Sequence, residues 1–285
     1  MSGRDRPQVS SDGQAPGLKL IATDLDGTFL GDDGLPSHLN LTAVRRAAGC
    51  GVRIVFATGR PARWLQVLDL VAGLHPDAIA SNGAVLYDVA GHRLRQAFPL
   101  PRAATLAVMA DVKAVLPKAT FAVEYVDGWG RLTAYPPRGD FVEANVLAAT
   151  PEELLDARVP VKLLILGPGV ASDRLAGLVE PLVGGRLDVT FSMLQGDGLL
   201  ELSAPGVTKA SALRLLLRAY DIAPAEVAAF GDMPNDLPML ELAGRPFAMS
   251  NAHPAVLQHG FPLAGDHDDS AFGRTVMGLL DQLEA

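Results

Sequence analysis

The chain has 285 residues, 49% of them apolar, and a net charge of −8. That length and apolar content suffice for two buried cores, while the acidic balance excludes nonspecific binding to nucleic acid or to anionic membranes. The single cysteine, Cys50, excludes an internal disulfide and fits a reducing, cytoplasmic compartment.

Residues 1–17 are polar and rich in Ser, Gly and Pro, without the apolar core of a signal peptide, and read as a mobile tail. No uninterrupted apolar stretch reaches transmembrane length. The run LKLIAT then predicts a buried strand ending at Asp24, followed by LDGT. Residues i and i+2 of a strand project to one side, so Asp24 and Asp26 are expected to address one small volume at the strand's carboxyl end. Open α/β sheets place their ligands there. An Asp at such a place can attack phosphorus; an acidic strand-to-turn corner is the plainer alternative.

A second apolar strand in GVRIVFATGR runs out into Thr58, Gly59 and Arg60, before a helical pattern over Pro61–Leu74 with Pro61 at its first position. Thr58 and the Gly59 amide at a helix start suit phosphoryl oxygens, as they also suit a simple cap. From there a second unit is expected over 86–194. It comprises a helix over Arg102–Leu116, strands TFAVEYV and RLTAYP joined by a hairpin turn at Asp127–Gly130, strand VKLLILG, a helix over Ser172–Leu182, and RLDVTFS. Its polar and aromatic candidates for substrate selection are Glu124, Tyr125, Trp129, Arg131, Tyr135 and Arg138.

Lys209, one of five lysines, opens the next amphipathic helix. A cation there opposes the helix dipole, so its placement asks for an anionic partner. EVAAFGDMPNDLPML supplies another strand end, with Asp232, Asn235 and Asp236 in the loop before a helix. Carboxylates converging at 4 Å repel by about 4 kcal/mol per pair at an effective dielectric near 20, and an oxygen-only set relieves this with a hard divalent cation such as Mg²⁺. None of the six histidines shows metal-ligand spacing. Strands alternating with helices predict an α/β fold, with a mostly parallel core sheet over 18–85 and 195–285.

In order, DLDGTFL, FATGR, SNGA (Ser81–Ala84), GVTKASAL, GDMPNDLPML and FAMSNAHPAV (Phe247–Val256) resemble the signatures of the haloacid dehalogenase-like phosphohydrolase superfamily, in its Cof-type subfamily. The resemblance implies a Rossmann-like doubly wound parallel sheet core with an inserted α/β cap. It implies Asp24 as nucleophile, Asp26 as general acid and base, and Thr58 and Lys209 as phosphoryl clamps. Gly59, Arg60, Asn82 and Asn235 would contact substrate, and Asp24, Asp26, Asp232 and Asp236 would surround Mg²⁺. Ala210 and Met233–Pro234 depart from the usual motif residues, and the family's last acidic tract is blurred into GDHDDSAFGRTV, with Asp268 and Asp269.

The reaction so implied is hydrolysis of small phosphomonoesters, such as sugar phosphates or phosphorylated cofactors, by a monomer or homodimer. Halide needs no proton to leave, so an acid at position 26 favours phosphate esters. A phosphosugar mutase and a non-catalytic ligand-binding module are the alternatives.

Overall fold

The computed structural model describes residues 17–136, 144–191 and 198–284. Residues 1–16 of the expected tail, and Arg138 among the selection candidates, lie outside them. The first core segment comprises β1 (Leu20–Thr23), α1 (His38–Gly49), β2 (Arg53–Ala57), β3 (Asp77–Ala80), β4 (Val85–Asp88) and β5 (Arg93–Ala97). The inserted unit holds α2 (Arg102–Val115), β6 (Thr120–Tyr125), β7 (Gly128–Leu132), β8 (Val146–Ala148), α3 (Pro151–Asp156), β9 (Pro160–Gly167), α4 (Ser172–Val183), β10 (Asp188–Thr190) and β11 (Gly198–Ser203). The chain then returns to the core as α5 (Lys209–Tyr220), β12 (Val227–Gly231), α6 (Leu237–Leu242), β13 (Arg245–Met249), α7 (Pro254–Leu257), β14 (Leu263–Gly265) and α8 (Ala271–Glu284).

The larger sheet runs in the order β14-β13-β12-β1-β2-β3-β4-β5. It is parallel from β14 to β3 and ends in the antiparallel β4–β5 hairpin. Its strands are apolar on both sides because helices cover both faces. Ile21, Ile54, Phe56 and Phe230 point to the α1/α8 side with Phe272 and Val276. Leu20, Ala22, Val55 and Ala229 point to the α5/α6 side with Leu213, Leu216 and Met239. Fully burying each large side chain contributes about 1.5–3 kcal/mol, so the two layers hold β1 rigidly at the centre.

Strand pairing moves the expected boundaries. Residues 86–97, expected in the inserted unit, lie on the core sheet through β4 and β5, whereas β11, expected in the core, pairs with β9 and β10. The smaller sheet, β10-β11-β9-β6-β7-β8, is antiparallel except for β7–β8. One face packs on α2, α3 and α4 through Phe121, Val123, Leu163, Ile165, Leu200 and Leu202. Period-two alternation turns Ala122, Glu124, Lys162, Leu164, Leu199 and Glu201 to the opposite face. The β6–β7 turn is also tighter than expected. Tyr125 pairs with Gly128, so Val126 and Asp127 alone make the turn and Trp129 sits within β7 opposite Glu124.

Candidate active site

Chain order reverses at β1, which has β2 on one side and β12 on the other, and ligand sites of doubly wound sheets form at such a point. Asp24 follows β1, Thr58 follows β2, Ser81 and Asn82 follow β3, and Asp232 follows β12. The Asp24 N–H donates to Phe230 O at 3.0 Å, extending the ladder to the first site residue. The chain then turns over Leu25–Phe29, closed by Leu30 N–H to Leu25 O, with Gly27 at φ +69°. A Cβ on Gly27 would stand 2.5 Å from Asp232 Oδ2, so the turn and the carboxylate approach closely because position 27 is glycine.

Asp24, Asp232 and Asp236 are buried, and one carboxylate oxygen from each lies within 4.8 Å of the others. Lys209 Nζ, 1% exposed, donates to Asp24 Oδ1 at 2.8 Å and to Asp236 Oδ1 at 2.6 Å. These are the anionic partners its position demands. The Asp232 and Met233 amides donate to Asp236 Oδ2 at 3.1 and 3.0 Å, and Thr28 Oγ1 donates to Asp232 Oδ1 at 2.9 Å. Thr208 and Ser211 cap α5 reciprocally, which fixes the start of the helix that carries Lys209. Behind that cap lies the SNGA turn: Gly83 has φ +107°, and a Cβ there would meet Thr208 O at 2.3 Å.

The charges are unevenly balanced. Burial, then repulsion from Asp236, pushes the Asp232 carboxyl up to about 7. Burial likewise raises Asp24 well above the ordinary carboxylate range; Lys209 pulls it back, and Asp236, Asp232 and Asp26 add to the rise. Burial works against charge on Lys209, yet Asp236 and Asp24 outweigh it and hold the ammonium above its usual range. One ammonium thus faces three carboxylates, and the donor set is all oxygen. That chemistry fits a hard divalent cation.

Asp26 stands apart from this cluster. Its side chain, 57% exposed, is gripped by Arg60, with Nε 2.9 Å from Oδ2 and Nη2 2.5 Å from Oδ1. The Asp26 carboxylate, expected among the metal ligands, is therefore outside the buried group of Asp24, Asp232 and Asp236 that could hold a metal, and is bound by Arg60 on the floor of the same cavity. Arg60, expected at substrate, is occupied by the same pair. No helix begins at Pro61: its backbone is extended, and short 3₁₀ turns follow over Ala62–Trp64 and Gln66–Leu74. Arg60 O accepts from Ser81 N, which holds this segment against the neighbouring strand end. Thr58 is buried, and its Oγ1 accepts the Arg60 N–H at 3.0 Å.

Asn82 and Asn235 bind each other: Asn235 Nδ2 donates to Asn82 Oδ1 at 3.0 Å. Asn82 Nδ2 reaches into the inserted unit, donating to Glu201 Oε2 at 2.6 Å and Thr190 Oγ1 at 3.1 Å. Asn235 Oδ1 is buried with no hydrogen-bond partner among the described residues, and Asn235 is one of the residues lining the cavity.

That cavity, about 820 Å³, has Asp24, Asp26, Gly59, Arg60 and Asp232 as its floor and Glu124, Lys162, Leu164, Leu199 and Glu201 as its roof. Of the five selection candidates among the described residues only Glu124 lines it, held by both terminal guanidinium nitrogens of Arg63. Tyr125 donates to Leu154 O inside the smaller core, Arg131 donates to Tyr135 O, and Trp129 faces another groove. Sequence reasoning passed over Lys162 and Glu201, whose signal was a charge inside an otherwise apolar strand. At the rim, Asn251 donates to Gly27 O, and Asp268 accepts from Asp32 N. Asp32, His267 and Asp268 form a second, more exposed group of possible ligands, although no histidine spacing announced it.

Buried carboxylates at the switch point of a doubly wound sheet, facing an inserted α/β unit, place the protein in a known class of hydrolase. The chain belongs to the haloacid dehalogenase-like hydrolase family, which it matches over residues 21–273, and is an enzyme of the phosphatase class. It is similar to the HMP-PP phosphatase of Enterobacter sp. (strain 638), with 29% identity over 93% of this chain and 96% of that protein. Its fold is similar to that of a haloalkanoate-superfamily phosphatase from Bacteroides thetaiotaomicron, with a TM-score of 0.77 and 24% identity over 94% of this chain and 99% of that one. It is also similar in fold to a subclass IIB sugar phosphatase, with a TM-score of 0.75 and 20% identity over 92% of this chain and 99% of the other.

Proposed function

We propose that the protein is a Mg²⁺-dependent phosphatase that hydrolyses small phosphomonoesters through an aspartyl-phosphate on Asp24. The observation that carries this reading is the buried group of Asp24, Asp232 and Asp236 crossed by a single ammonium, that of Lys209, at the floor of a roofed cavity. In the first step an Asp24 oxygen bonds to phosphorus, the bond from phosphorus to the ester oxygen breaks, and Asp26 protonates the departing oxygen. In the second, Asp26 takes a proton from water, whose oxygen attacks the same phosphorus. Inorganic phosphate leaves and the Asp24 carboxylate returns. Lys209 and the backbone of the Thr58–Gly59 loop hold negative charge in place, since phosphoryl transfer is mainly positioning and electrostatics. Asp24, Asp232 and Asp236 would hold the Mg²⁺, which supplies neutralisation of phosphoryl oxygen charge when bound.

The inserted unit serves as a selective cap: Glu124, Lys162, Leu164, Leu199 and Glu201 face the space where a leaving group would lie. HMP-PP, named in relatives that match most of this chain, and sugar phosphates are the first substrates to try. The test is phosphate release from a panel of phosphorylated metabolites, with Mg²⁺ and with chelator. Release that requires Mg²⁺ supports the reading; undiminished turnover after exhaustive chelation sinks it.

A further inference from the structure

We infer that Lys162, a cap residue, is a positioning residue for proton transfer: it fixes the Asp26 carboxylate through the Gly59–Arg60 segment. The inference rests on the reading of Asp26 as the acid above. Lys162 extends from β9 toward the core and is 1% exposed. Its Nζ donates to Gly59 O at 2.6 Å and lies 3.3 Å from Glu201 Oε2. A buried ammonium requires such partners, and one of them is a backbone carbonyl of the other unit. The Gly59–Arg60 peptide is thereby held at both ends, its C=O by Lys162 and its N–H by Thr58 Oγ1 at 3.0 Å. The next carbonyl, Arg60 O, accepts from Ser81 N at 2.9 Å.

Arg60 thus leaves a fixed backbone, and its guanidinium is what grips Asp26. Asp26 itself is more than half exposed and sits in a turn whose next residue, Gly27, has a positive φ. Its side chain has no buried packing to choose one orientation. An acid must come within about 2.6–3.2 Å of the oxygen it protonates, so the orientation must come from Arg60. The path from Lys162 to Gly59 O, to Arg60, to Asp26 crosses from cap to core. It is complete only when the cap is seated, which ties proton delivery to a covered site.

A proton on the leaving oxygen matters in proportion to that oxygen's basicity. The test is kcat/KM of the full-length Mg²⁺-loaded enzyme for a series of substituted phenyl phosphates of similar size. Lys162→Met should lose roughly tenfold or more with phenyl phosphate but less than about threefold with a dinitrophenyl phosphate, a part of the roughly 10²–10⁴ that a placed acid supplies. Asp26→Asn should show the same dependence more steeply. Because Lys162→Met leaves Glu201 buried without its cation, the double variant Lys162→Met/Glu201→Gln is measured beside it and should share the slope. A sloped series in Asp26→Asn with a flat one in both Lys162 variants overturns this inference alone. A flat series in Asp26→Asn overturns the acid role on which it stands.

Discussion

Lys209 Nζ donates to Asp24 Oδ1 at 2.8 Å, and both groups are buried. The ammonium is placed by a capped helix start and the carboxylate by a central strand, so neither partner depends on a flexible loop. The same ammonium reaches Asp236 at 2.6 Å, and it therefore spans two of the three clustered carboxylates. Lys209→Ala should lower turnover by roughly 10²–10³, the scale for deleting one electrostatic donor to the transition state. Steady-state kinetics check this; turnover within about threefold of the parent would remove Lys209 from the chemistry.

Stability should report the same cluster through pH. The Asp232 carboxyl titrates near 3.8 when unfolded and is raised to about 7 in the fold, and Asp24 shifts in the same direction. A raised carboxyl contributes stability below its unfolded pKa and loses it as pH rises through the folded value. Metal-free protein should therefore lose this contribution between about pH 4 and pH 7. A cation that binds the ionised carboxylates must displace those protons, so the Tm gain from Mg²⁺ should be larger at about pH 8 than at about pH 5. Thermal melts in chelator and in Mg²⁺ at both values decide; a gain that is equal or larger at the acid value contradicts the cluster as the binding site.

Selection should follow the roof. Glu124→Gln and Leu199→Met keep size while changing what faces the leaving group, and should shift preference among metabolite phosphates by about 1–3 kcal/mol. Trp129→Phe, which alters a residue packed behind Leu164 and Leu199 without lining the cavity, should shift preference less than either roof variant. Ratios of kcat/KM across two natural phosphoesters and one small aryl phosphate measure this. A change in preference for Trp129→Phe with none for the roof variants would reverse the assignment.

Gly83 supports the position of Lys209. Alanine there meets both a φ of +107° and Thr208 O at 2.3 Å, so Gly83→Ala should cost roughly 1–3 kcal/mol and slow turnover by disturbing the start of α5. Gly177 lies within α4 with none of the described residues within 4 Å of an added Cβ; Gly177→Ala should gain about 0.5–1 kcal/mol with turnover unchanged. Denaturant titration and initial rates of both variants check the contrast.

Much of the core site was readable because each part combines an apolar strand with a polar strand end, a local pattern. Asp24, Asp232, Asp236 and Lys209 meet as their motifs imply. What escaped depends on distant pairing. Nothing local in RLRQA, the exposed β5, tells that Arg93–Ala97 adds to the core sheet through β4, nor in GLLELS that β11 pairs with β9. Lys162 and Glu201 stood out only as charges in apolar strands, and their partners Gly59 and Asn82 lie across the boundary between units. Asp24 and Asp26 line one cavity, yet the Asp26 carboxylate lies outside the buried cluster because Asp26 sits in a turn, where Arg60 decides its direction.

Covalent catalysis by Asp24 is the centre of the account, and trapping the intermediate tests it most directly. The Mg²⁺-loaded enzyme is mixed with an aryl phosphate, quenched in acid within a turnover, digested and weighed by mass spectrometry. The account predicts one added phosphoryl group on the peptide that contains Asp24, removed by hydroxylamine, and absent from Asp24→Asn, whose turnover falls roughly 10⁴-fold or more. Near-normal turnover in Asp24→Asn, or a phosphoryl group trapped on a different residue, would contradict it.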